Sequence, residues 1–579
     1  MERTISVADY FVEFLIANGV TDVFGYQGGM IAYIFDSLGK YRAGINYHSC
    51  ATEQGAALAA CGYAQATGRL GVAISTSGPG FTNLLTGMAD AWFDSVPVLF
   101  VSGNVNTKDK KRERPLRQMG FQEIQAVPIA AAITKKTYEM EIGSDCEEIF
   151  QDAYTTAMTH RRGPVFIDFP INICREKITI NEVKKITIID KELNIDVRGI
   201  IRELKDSRRP VIIAGAGIKQ ASEREQFRDF INMIKIPVLT TLPAIDVMPT
   251  NSKYMMGYIG GTGRREGGIV LQNADFVLTI GTRLCSKQIG HDMSLFAPKV
   301  KKLIRIDIDE NELGREVKTE ELQIKADISI FLRQMTEQLR KENYLPQHGK
   351  WSDVCESIYN TLGKFDMTPV NQFIRKLTML FPEKANILID VGKNMTYFGQ
   401  SSQVKEGTKV YMSAGLGTMG YALPAAIGAY YGNHFPTFVI VGDGGAQMNI
   451  QELNTIVKND LPIKIVVLNN KALGNIRIFQ EQYLDSRFVA TDEREGDYFS
   501  CDFTAIANAY GVKACAFKGF NEIACMETYL NEAYGGCLAE VIYEDCEVLP
   551  GIVAGGEYLK EETGIPQNIL KQIRDILEM

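Results

Sequence analysis

Short apolar runs that end in glycine-rich turns and are followed by helix-like patterns recur along the whole chain. Such runs are typical of strands in parallel sheets, and the helical patterns between them indicate helices that cover both faces of each sheet. The runs fall into three groups, and each group predicts one doubly wound α/β domain. The predicted strands are 22–25, 71–75, 96–101 and 164–168, then 210–215, 237–240, 276–281 and 303–307, and finally 387–390, 437–441, 463–468 and 538–542.

The grouping also predicts where the domains begin and end. The charged stretch 177–203 and the polar stretch 341–364 are the predicted linkers. The sequence shows no low-complexity tract and no short repeat. The predicted first, central and third domains and the C-terminal tail are 1–180, 195–340, 365–550 and 551–579.

Composition narrows the class of function. With 579 residues, 45% of them hydrophobic and 23% charged, the chain is long enough for about three or four domains. The net charge of -8 and the mixed charge pattern argue against a nucleic-acid or membrane surface. The charged N-terminus and the lack of a long apolar run predict a cytoplasmic protein. The eleven cysteines are scattered without Cys-x-x-Cys spacing, which favours buried free thiols over structural zinc.

The strongest signal for chemistry lies at the ends of two strands in the third group. Strand 437–441 runs into Gly442-Asp443-Gly444-Gly445-Ala446, and strand 463–468 ends at Asn469-Asn470. The glycines let backbone amides approach phosphate oxygens, while Asp443 and Asn470 offer hard oxygen ligands. A carbonyl near Ala472 would add a third. A lone Gly-Asp-Gly could be a plain turn, but the second strand end favours a magnesium site that holds a diphosphate.

Two loops of the first group are also candidates for a ligand. They are the loop 25–29 and the segment Ser77-Gly78-Pro79-Gly80, each of which follows a predicted strand. Open α/β sheets bind ligands at the carboxyl ends of their strands, which makes both loops site candidates. The alternative is that the glycines only form turns.

Together these motifs resemble the thiamine diphosphate-dependent decarboxylase and carboligase superfamily, whose magnesium motif is Gly-Asp-Gly followed by Asn-Asn. Within that superfamily the chain is most similar to the acetolactate synthase catalytic subunit. The resemblance implies pyrimidine-binding, central nucleotide-binding-like and diphosphate-binding domains. The similar stretches are Val23-Phe24-Gly25-Tyr26, Glu53-Gln54-Gly55-Ala56-Ala57, Ser77-Gly78-Pro79-Gly80, Asp94-Ser95-Val96-Pro97, Phe121-Gln122-Glu123, Gly415-Leu416-Gly417-Thr418-Met419-Gly420-Tyr421 and Asn470-Lys471-Ala472-Leu473-Gly474.

The resemblance assigns two special roles. Glu53 matches the carboxylate that activates the aminopyrimidine ring, although it could be only a helix N-terminal carboxylate after Thr52 or Ser49. Met419 matches the side chain beneath the bend of the cofactor, although a methionine could be core filler. In this family the glutamate and the metal site come from different subunits, which implies a homodimer or homotetramer. The other implied cofactor contacts are Gly28, Gly29, Pro79, Asn83, Gly417, Gly442, Gly444, Gly445, Ala446, Leu473 and Gly474, with Asp443, Asn470 and Ala472 on the metal.

The implied reaction is decarboxylation of a 2-keto acid, with pyruvate as the expected donor, and transfer of the acyl-anion unit to a second carbonyl. Phe121 and Gln122 resemble the pair that lines the family's active site, with ordinary loop packing as the alternative. None of the five histidines forms an adjacent pair or lies inside a matched motif, which favours carboligation over simple protonation. Segment Pro170-Ile171-Asn172 lacks the family's lysine, and Gln27 replaces the usual proline, so a hydroxylated acceptor is conceivable.

The central domain has a nucleotide-binding form. One strand runs into Gly215-Ala216-Gly217 and another ends at Asp307-Ile308-Asp309. Many relatives bind FAD there, and the resemblance assigns Arg283 and Asp307 to that cofactor. The segment Leu284-Cys285-Ser286-Lys287 departs from the family pattern. The sequence therefore leaves FAD and an empty nucleotide fold both open.

Two other functions remain open from the sequence. The chain could be a thiamine-dependent lyase or hydrolase that cleaves a carbon–carbon bond in a dione or hydroxyacyl substrate. It could also be a regulatory homologue without turnover, but the intact Glu53, Asp443 and Asn470 argue against that.

Overall fold

The structure, a computed structural model, describes residues 2–188, 195–365, 367–533, 535–544, 547–549 and 565–578. They contain three six-stranded sheets in which all paired strands are parallel. Helices connect successive strands, so the predicted fold of three doubly wound α/β domains is confirmed. Among the described helices, none is long and apolar enough to span a membrane.

The first domain is built on a sheet with the order β3-β2-β4-β5-β7-β6, beside a two-stranded antiparallel pair of β1 and β8. Its strands are β1 (Arg3–Ser6), β2 (Asp22–Gly25), β3 (Asn46–Ser49), β4 (Gly71–Ser75), β5 (Val98–Asn104), β6 (Lys136–Glu139), β7 (Val165–Pro170) and β8 (Lys177–Ile180). Its helices are α1 (Val7–Ala17), α2 (Ala32–Lys40), α3 (Glu53–Thr67), α4 (Pro79–Phe93), α5 (Ala126–Ala130), α6 (Cys146–Met158) and α7 (Ile171–Arg175).

The second domain has the strand order β11-β10-β9-β12-β13-β14. Its strands are β9 (Pro210–Ala214), β10 (Val238–Thr240), β11 (Met255–Tyr258), β12 (Phe276–Ile280), β13 (Lys302–Asp307) and β14 (Leu322–Lys325). Its helices are α8 (Val197–Asp206), α9 (Gly217–Gln220), α10 (Arg224–Ile234), α11 (Arg265–Gln272), α12 (Ser286–Ile289), α13 (Glu310–Leu313), α14 (Ile328–Lys341) and the following α15 (Gly349–Phe365).

The third domain has the order β16-β15-β17-β18-β20-β19. Its strands are β15 (Asn386–Ile389), β16 (Lys409–Met412), β17 (Thr437–Gly442), β18 (Ile463–Asn469), β19 (Lys513–Lys518) and β20 (Cys537–Ile542). Its helices are α16 (Pro369–Leu380), α17 (Lys393–Ser401), α18 (Ala422–Asn433), α19 (Asp443–Met448), α20 (Leu453–Lys458), α21 (Gly474–Tyr483), α22 (Phe503–Tyr510) and α23 (Ile523–Glu532), and the chain ends in α24 (Gln567–Glu578).

Both predicted linkers contain regular structure. The stretch 177–203 includes β8 and the start of α8, and 341–364 includes most of α15. These segments are rich in charge because the helices are amphipathic, with polar faces towards solvent and apolar faces in the second domain's cores. Of the predicted tail, 551–564 lies outside the described residues, and α24 packs against α15.

Helices α3 and α18 join the first and third domains. A Cβ atom on Gly62 would lie 2.0 Å from the carbonyl oxygen of Ala425, and one on Gly428 would lie 1.7 Å from that of Ala59. The two helices therefore pack backbone against backbone, which only glycine permits at these two positions. Buried side chains from both domains form one continuous core around them.

Candidate functional site

The register of the third sheet brings the two predicted metal ligands to the same edge. Gly442, the last residue of β17, pairs with Leu468 of the neighbouring strand β18. Asp443 and Asn470 follow directly at the carboxyl ends of these strands. The predicted diphosphate loop contains Gly442, Gly444 and Gly445, which have no side chains to keep a ligand away from the backbone amides. Helix α19 begins at Asp443.

Asp443 is a buried carboxylate with a neutral partner. Asp443 is 2% exposed, and the hydroxyl of Tyr498 donates a hydrogen bond to its Oδ2 atom at 2.9 Å. Burial raises the pKa of Asp443 to about 6, and the bond from Tyr498 offsets only part of this effect. Within the described residues no lysine, arginine or histidine forms an ion pair with Asp443. A bound divalent cation would stabilise the ionised form of this carboxylate.

The predicted metal ligands do not form an acidic cluster. Among the described residues there is no group of three histidine, cysteine, aspartate or glutamate side chains that could hold a metal. The predicted set instead comprises one carboxylate, the amide of Asn470 and the carbonyl of Ala472. An all-oxygen set with few protein ligands suits magnesium, which shares its coordination with phosphate and water.

A buried lysine, which the sequence analysis missed, lies beside Asn470. Lys393 is 6% exposed and is the first residue of α17. A Cβ atom on Gly474 would lie 2.8 Å from Cδ of Lys393 and 3.0 Å from Nδ2 of Asn470. The glycine thus makes room for both side chains. The sequence signal that could have indicated Lys393 is its place in the turn after predicted strand 387–390. That strand ends at the same sheet edge as the metal motif.

Met419 lies directly over the diphosphate loop. A Cβ atom on Gly444 would lie 3.2 Å from Cε of Met419, 2.7 Å from Cδ2 of Leu473 and 3.4 Å from the hydroxyl of Tyr498. The structure therefore brings together Met419, Leu473 and the residue after Asp443, as the predicted site requires. Ala446 is 4% exposed and faces the core of the domain.

The loop 413–420, which carries Met419, is held by the buried carboxylates of Asp390 and Asp90 and by the half-buried Asp94. Asp390 accepts hydrogen bonds from the backbone amides of Gly420 at 3.0 Å and Ala422 at 2.9 Å. Burial raises its pKa to about 6. Gly417 and Gly420 have φ values of +75° and +81°, which glycine adopts without strain.

Asp90 and Asp94 of the first domain hold the other end of this loop. Asp90 accepts hydrogen bonds from the hydroxyls of Ser413 and Thr418, and Asp94 accepts them from the amides of Ala414 at 2.9 Å and Gly415 at 2.8 Å. Burial raises the pKa of both carboxyls, and for Asp90 the nearby charge of Asp94 raises it further. The position of Met419 therefore depends on both domains.

Glu53 begins helix α3 in the first domain. Asn83 donates a hydrogen bond to Oε2 of Glu53 at 3.0 Å, and a Cβ atom on Gly80 would lie 3.3 Å from its Oε1. Thr52 caps the helix by accepting a bond from the amide of Gly55. The cap expected from the sequence is thus present, and the Glu53 carboxylate is held separately by Asn83.

The other predicted residues of the first domain lie near the turn 76–80, which precedes and begins helix α4. Gly28 approaches Thr76 so closely that a Cβ atom would lie 2.4 Å from the threonine Cβ, while the space beside Gly29 is open. Pro79 is the first residue of α4. Phe121 is 80% exposed. A Cβ atom on Gly78 would lie 3.1 Å from that of Gln122, so the structure places the Phe121–Gln122 pair beside the Pro79 turn.

Within one chain the two halves of the predicted site lie in different domains. Glu53, Asn83 and Gln122 belong to the first domain, whereas Asp443 and Met419 belong to the third. No hydrogen bond or ion pair among the described residues joins Glu53 to Met419 or Asp443.

Comparison with known proteins shows that both halves belong to one kind of enzyme. Three family descriptions match: thiamine pyrophosphate enzyme, N-terminal TPP binding domain, over 5–129; central domain, over 197–335; and C-terminal TPP binding domain, over 390–537. The chain belongs to the thiamine pyrophosphate enzyme family. Thiamine pyrophosphate is another name for thiamine diphosphate.

Proteins similar to this chain include acetolactate synthase large subunits. The chain is 30% identical to acetolactate synthase isozyme 2 large subunit of Escherichia coli (strain K12), over 95% of this chain and 97% of the relative. It is 32% identical to the large subunit of Lactococcus lactis over 96% of each chain, and 32% identical to a probable large subunit of Methanocaldococcus jannaschii over 95% and 94%. The resemblance to acetolactate synthase large subunits is therefore confirmed.

The residues present suit thiamine diphosphate on structural grounds as well. Each TPP binding domain contains one half of the predicted site, with Glu53 in the first match and Met419 and Asp443 in the last. The hydroxyls of Thr76 and Ser77, in the turn before Pro79, are buried without a hydrogen-bond partner. Buried hydroxyls normally find partners, so this turn has unused capacity to bind a polar ligand.

Arg283 and Asp307 lie away from this site, in a cavity of about 390 Å³ between the first and second domains. The turns at Gly217 and Gly281 line it too, and burial raises the pKa of Asp307. A Cβ atom on Gly217 would lie 2.8 Å from the Cα atom of Gly281. The volume falls in the usual range of ligand pockets.

Proposed function

We propose that this protein is a thiamine diphosphate- and magnesium-dependent carboligase, which decarboxylates pyruvate and transfers the resulting acyl-anion unit to a second carbonyl. The cofactor supplies a nucleophilic carbon that a protein side chain cannot provide. The contact of Met419 with the loop at Gly444, directly beside the buried Asp443, is the observation that carries the proposal. It places the residue expected under the bend of the cofactor next to the residue expected on its metal.

The chain's own residues divide the work. Asp443, the Asn470 amide and the Ala472 carbonyl hold magnesium, and Lys393 neutralises diphosphate charge beside them. Glu53 exchanges a proton with the aminopyrimidine ring, and its bond from Asn83 fixes the carboxylate in place. Both assignments rest on the placement of these residues at one sheet edge and at the start of α3.

A second copy of the chain completes the site in this proposal. Apolar side chains are exposed along α21 and the segment after it, close to the metal motif, and such patches mark interaction surfaces. We infer a homodimer, or a homotetramer made of two dimers, in which Glu53 of one subunit faces Met419 of its partner. The exposed side chains are Ile476 (52%), Phe479 (52%), Tyr483 (68%), Val489 (69%) and Phe499 (74%).

The acceptor pocket is proposed to lie beside Phe121 and Gln122. Ile171 stands where the family has a lysine, and the next residue, Asn172, is engaged with Thr107 through bonds of 2.9 and 3.1 Å. A different cation, Lys110, is buried beside Asp168 at 2.7 Å and Glu139 at 2.9 Å. The exposed ring of Phe121 and the amides of Gln122 and Gln27 then suit an acceptor that carries hydroxyl groups.

The test is incubation with pyruvate, thiamine diphosphate and magnesium while carbon dioxide release and the acceptor are followed. We expect carbon dioxide release that increases with the right carbonyl acceptor, including hydroxylated ones. If no carbon dioxide appears but a dione or hydroxyacyl compound is cleaved, the lyase or hydrolase function replaces the carboligase.

We also propose that the cavity around Arg283 and Asp307 binds FAD. The close glycine turns admit a nucleotide backbone, and a carboxylate at the end of β13 suits a ribose hydroxyl. Purified protein should then show flavin absorbance, and Asp307→Ala should reduce it. A colourless sample that takes up no added FAD would favour an empty nucleotide fold.

A further inference from the structure

A second cavity, of about 470 Å³, lies where all three domains meet. The first domain contributes the end of α3 and the turn 94–97, the second contributes α9 and α10, and the third contributes the segment 406–412. It shares the wall around Asp94 and Gln220 with the cavity that contains Arg283, but its other sides are different.

Four partly buried cations gather in and around its walls. Lys219 and Arg224 form ion pairs with the fully buried Asp246 at 2.8 and 2.7 Å. Two further cations have no comparable carboxylate. Lys409 donates to the carbonyl of Ala66 at 3.1 Å, and Arg228 donates to backbone carbonyls and has only an exposed Glu406 at 3.9 Å.

The remaining acidic groups are engaged elsewhere or lie at the rim of the cavity. The Asp94 carboxylate accepts two backbone amides of the loop 413–420, and Glu225, like Glu406, is exposed at the mouth. Burial lowers the pKa of Lys219, Arg228 and Lys409, and the charge of Arg224 lowers each of them further. An anion between these groups would remove that repulsion.

Unused hydrogen-bond donors also face the cavity. Tyr411 is 3% exposed and lines the cavity, yet its hydroxyl has no partner. The Nε atom of Arg224, another lining residue, is likewise buried without a partner. Buried donors are rarely left unpaired, because an unmade hydrogen bond costs the full desolvation penalty.

We propose that this cavity is a binding site for a small anion that carries a phosphate or carboxylate group. The anion accepts hydrogen bonds from Tyr411 and Arg224 and neutralises Lys409 and Arg228. Because these residues come from the second and third domains and Lys409 also contacts the first, the bound anion ties the three domains together. This site is independent of the proposed carboligation.

Binding can be measured on the full-length protein without turnover. Isothermal titration with inorganic phosphate and with acetate, each at constant ionic strength set by chloride, should show saturable binding by at least one. Saturating thiamine diphosphate and magnesium keep the diphosphate site occupied. The same anion should raise Tm by a few degrees, since a ligand that binds the folded state stabilises it.

Two variants test the assigned donors. Tyr411→Phe removes only the hydroxyl, and Lys409→Met removes one charge; each should weaken binding about tenfold, as expected for a hydrogen bond to a charged group. Tyr344→Phe is a matched control because its hydroxyl is also buried and unpartnered but lies outside the cavity. Lys405→Met controls for Lys409, since Lys405 also binds backbone carbonyls.

The outcomes separate the alternatives. Binding that is about tenfold weaker in Tyr411→Phe or Lys409→Met and unchanged in both controls supports the site. No saturable binding by the wild-type protein overturns it. Equal weakening of binding in Tyr344→Phe or Lys405→Met also overturns it. So does weaker binding in Arg283→Ala when Tyr411→Phe and Lys409→Met bind normally, because that result places the anion in the neighbouring cavity.

Discussion

At the scale of single residues, Glu53 makes contacts that differ from those of the residue that caps its helix. Thr52 already caps α3, and the Glu53 carboxylate is bound by Asn83 instead. A carboxylate held by a neutral amide remains able to exchange a proton, whereas a carboxylate that only favours a helix dipole needs no such partner.

The first prediction concerns this carboxylate. Glu53→Gln should lower kcat for carbon dioxide release by roughly 10²- to 10⁴-fold while cofactor binding is largely kept, because a positioned proton-transfer group is lost. Glu148→Gln is the control, since Glu148 is also an acid in the first turn of a helix, α6. Similar activity of the two variants would return Glu53 to a purely structural role.

The second prediction concerns Lys393. Lys393→Met keeps the length of the chain that packs on Gly474 but removes the charge, so Kd for thiamine diphosphate should rise by roughly 10- to 100-fold. Titration calorimetry or activity against cofactor concentration measures this. Lys376→Met, on the exposed side of α16, should leave Kd unchanged. An unchanged Kd for Lys393→Met would remove Lys393 from the diphosphate site.

Residues differ in how visible they are in the sequence. Asp443 and Asn470 could be predicted because they follow strongly apolar strands at a recognisable spacing. Lys393 and Tyr498 could not: Lys393 needed the knowledge that β15 lies next to β17, and Tyr498 reaches Asp443 from an irregular segment with no periodic signal. Contacts made by such loops depend on tertiary packing that local pattern does not encode.

At the scale of elements, the twelve predicted strands are the four central strands of each sheet. Eight strands were missed: β1 and β8 of the antiparallel pair, and the six edge strands of the three six-stranded sheets, β3, β6, β11, β14, β16 and β19. Central strands are covered on both faces and read as continuous apolar runs, while most of these edge strands keep exposed positions, as in Leu322–Lys325. Exposure also explains the predicted linkers: the polar faces of their amphipathic helices gave these stretches many charged residues, so no helix was predicted there.

The third prediction tests the packing of α3 on α18. Gly62→Ala should lower stability by ~1–3 kcal/mol or more, because the new methyl group meets the backbone of Ala425 and cannot be avoided by a side-chain rotation. Gly39→Ala, on α2 with nothing within 4 Å, should instead stabilise by about 0.5–1 kcal/mol. Thermal unfolding of both variants decides; an unchanged Tm in Gly62→Ala would contradict the close approach.

The fourth prediction concerns the loop 413–420 and pH. The pKa of Asp90 is raised in the folded protein, so its contribution to stability is fully present below the ordinary pKa of about 4 and is lost as pH rises through the folded value. Asp90→Asn cannot ionise, and its amide nitrogen can take the place of the unpartnered Oδ2 atom.

The Tm of Asp90→Asn relative to wild type should therefore rise between about pH 4 and pH 7. Asp485→Asn, at a carboxylate that is 87% exposed, should show no comparable trend. A difference between Asp90→Asn and wild type that stays constant over this range would mean that Asp90 ionises normally in the fold.

At the scale of the whole molecule, the predicted site is divided between two domains, and the proposed dimer follows from that division. The predicted domains of the thiamine site were recoverable from sequence because each carries its own motif. Motif spacing does not encode whether the two motifs come together within one chain or between two chains. That depends on how exposed surfaces such as α21 pair. The structure of one chain shows Glu53 and Met419 on separate domains without a direct bond between them.

The last prediction follows from that separation. Glu53→Gln and Asp443→Asn should each be nearly inactive alone, because each lacks one half of every site. When the two variants are mixed and allowed to exchange subunits, a mixed dimer contains one site with both intact residues and one site with neither. Random exchange makes half of the dimers mixed, so activity should recover to about a quarter of wild type. If Glu53 and Asp443 of the same chain formed the site, no mixture of these two variants could regain activity, and the recovered fraction would stay at the level of the separate proteins.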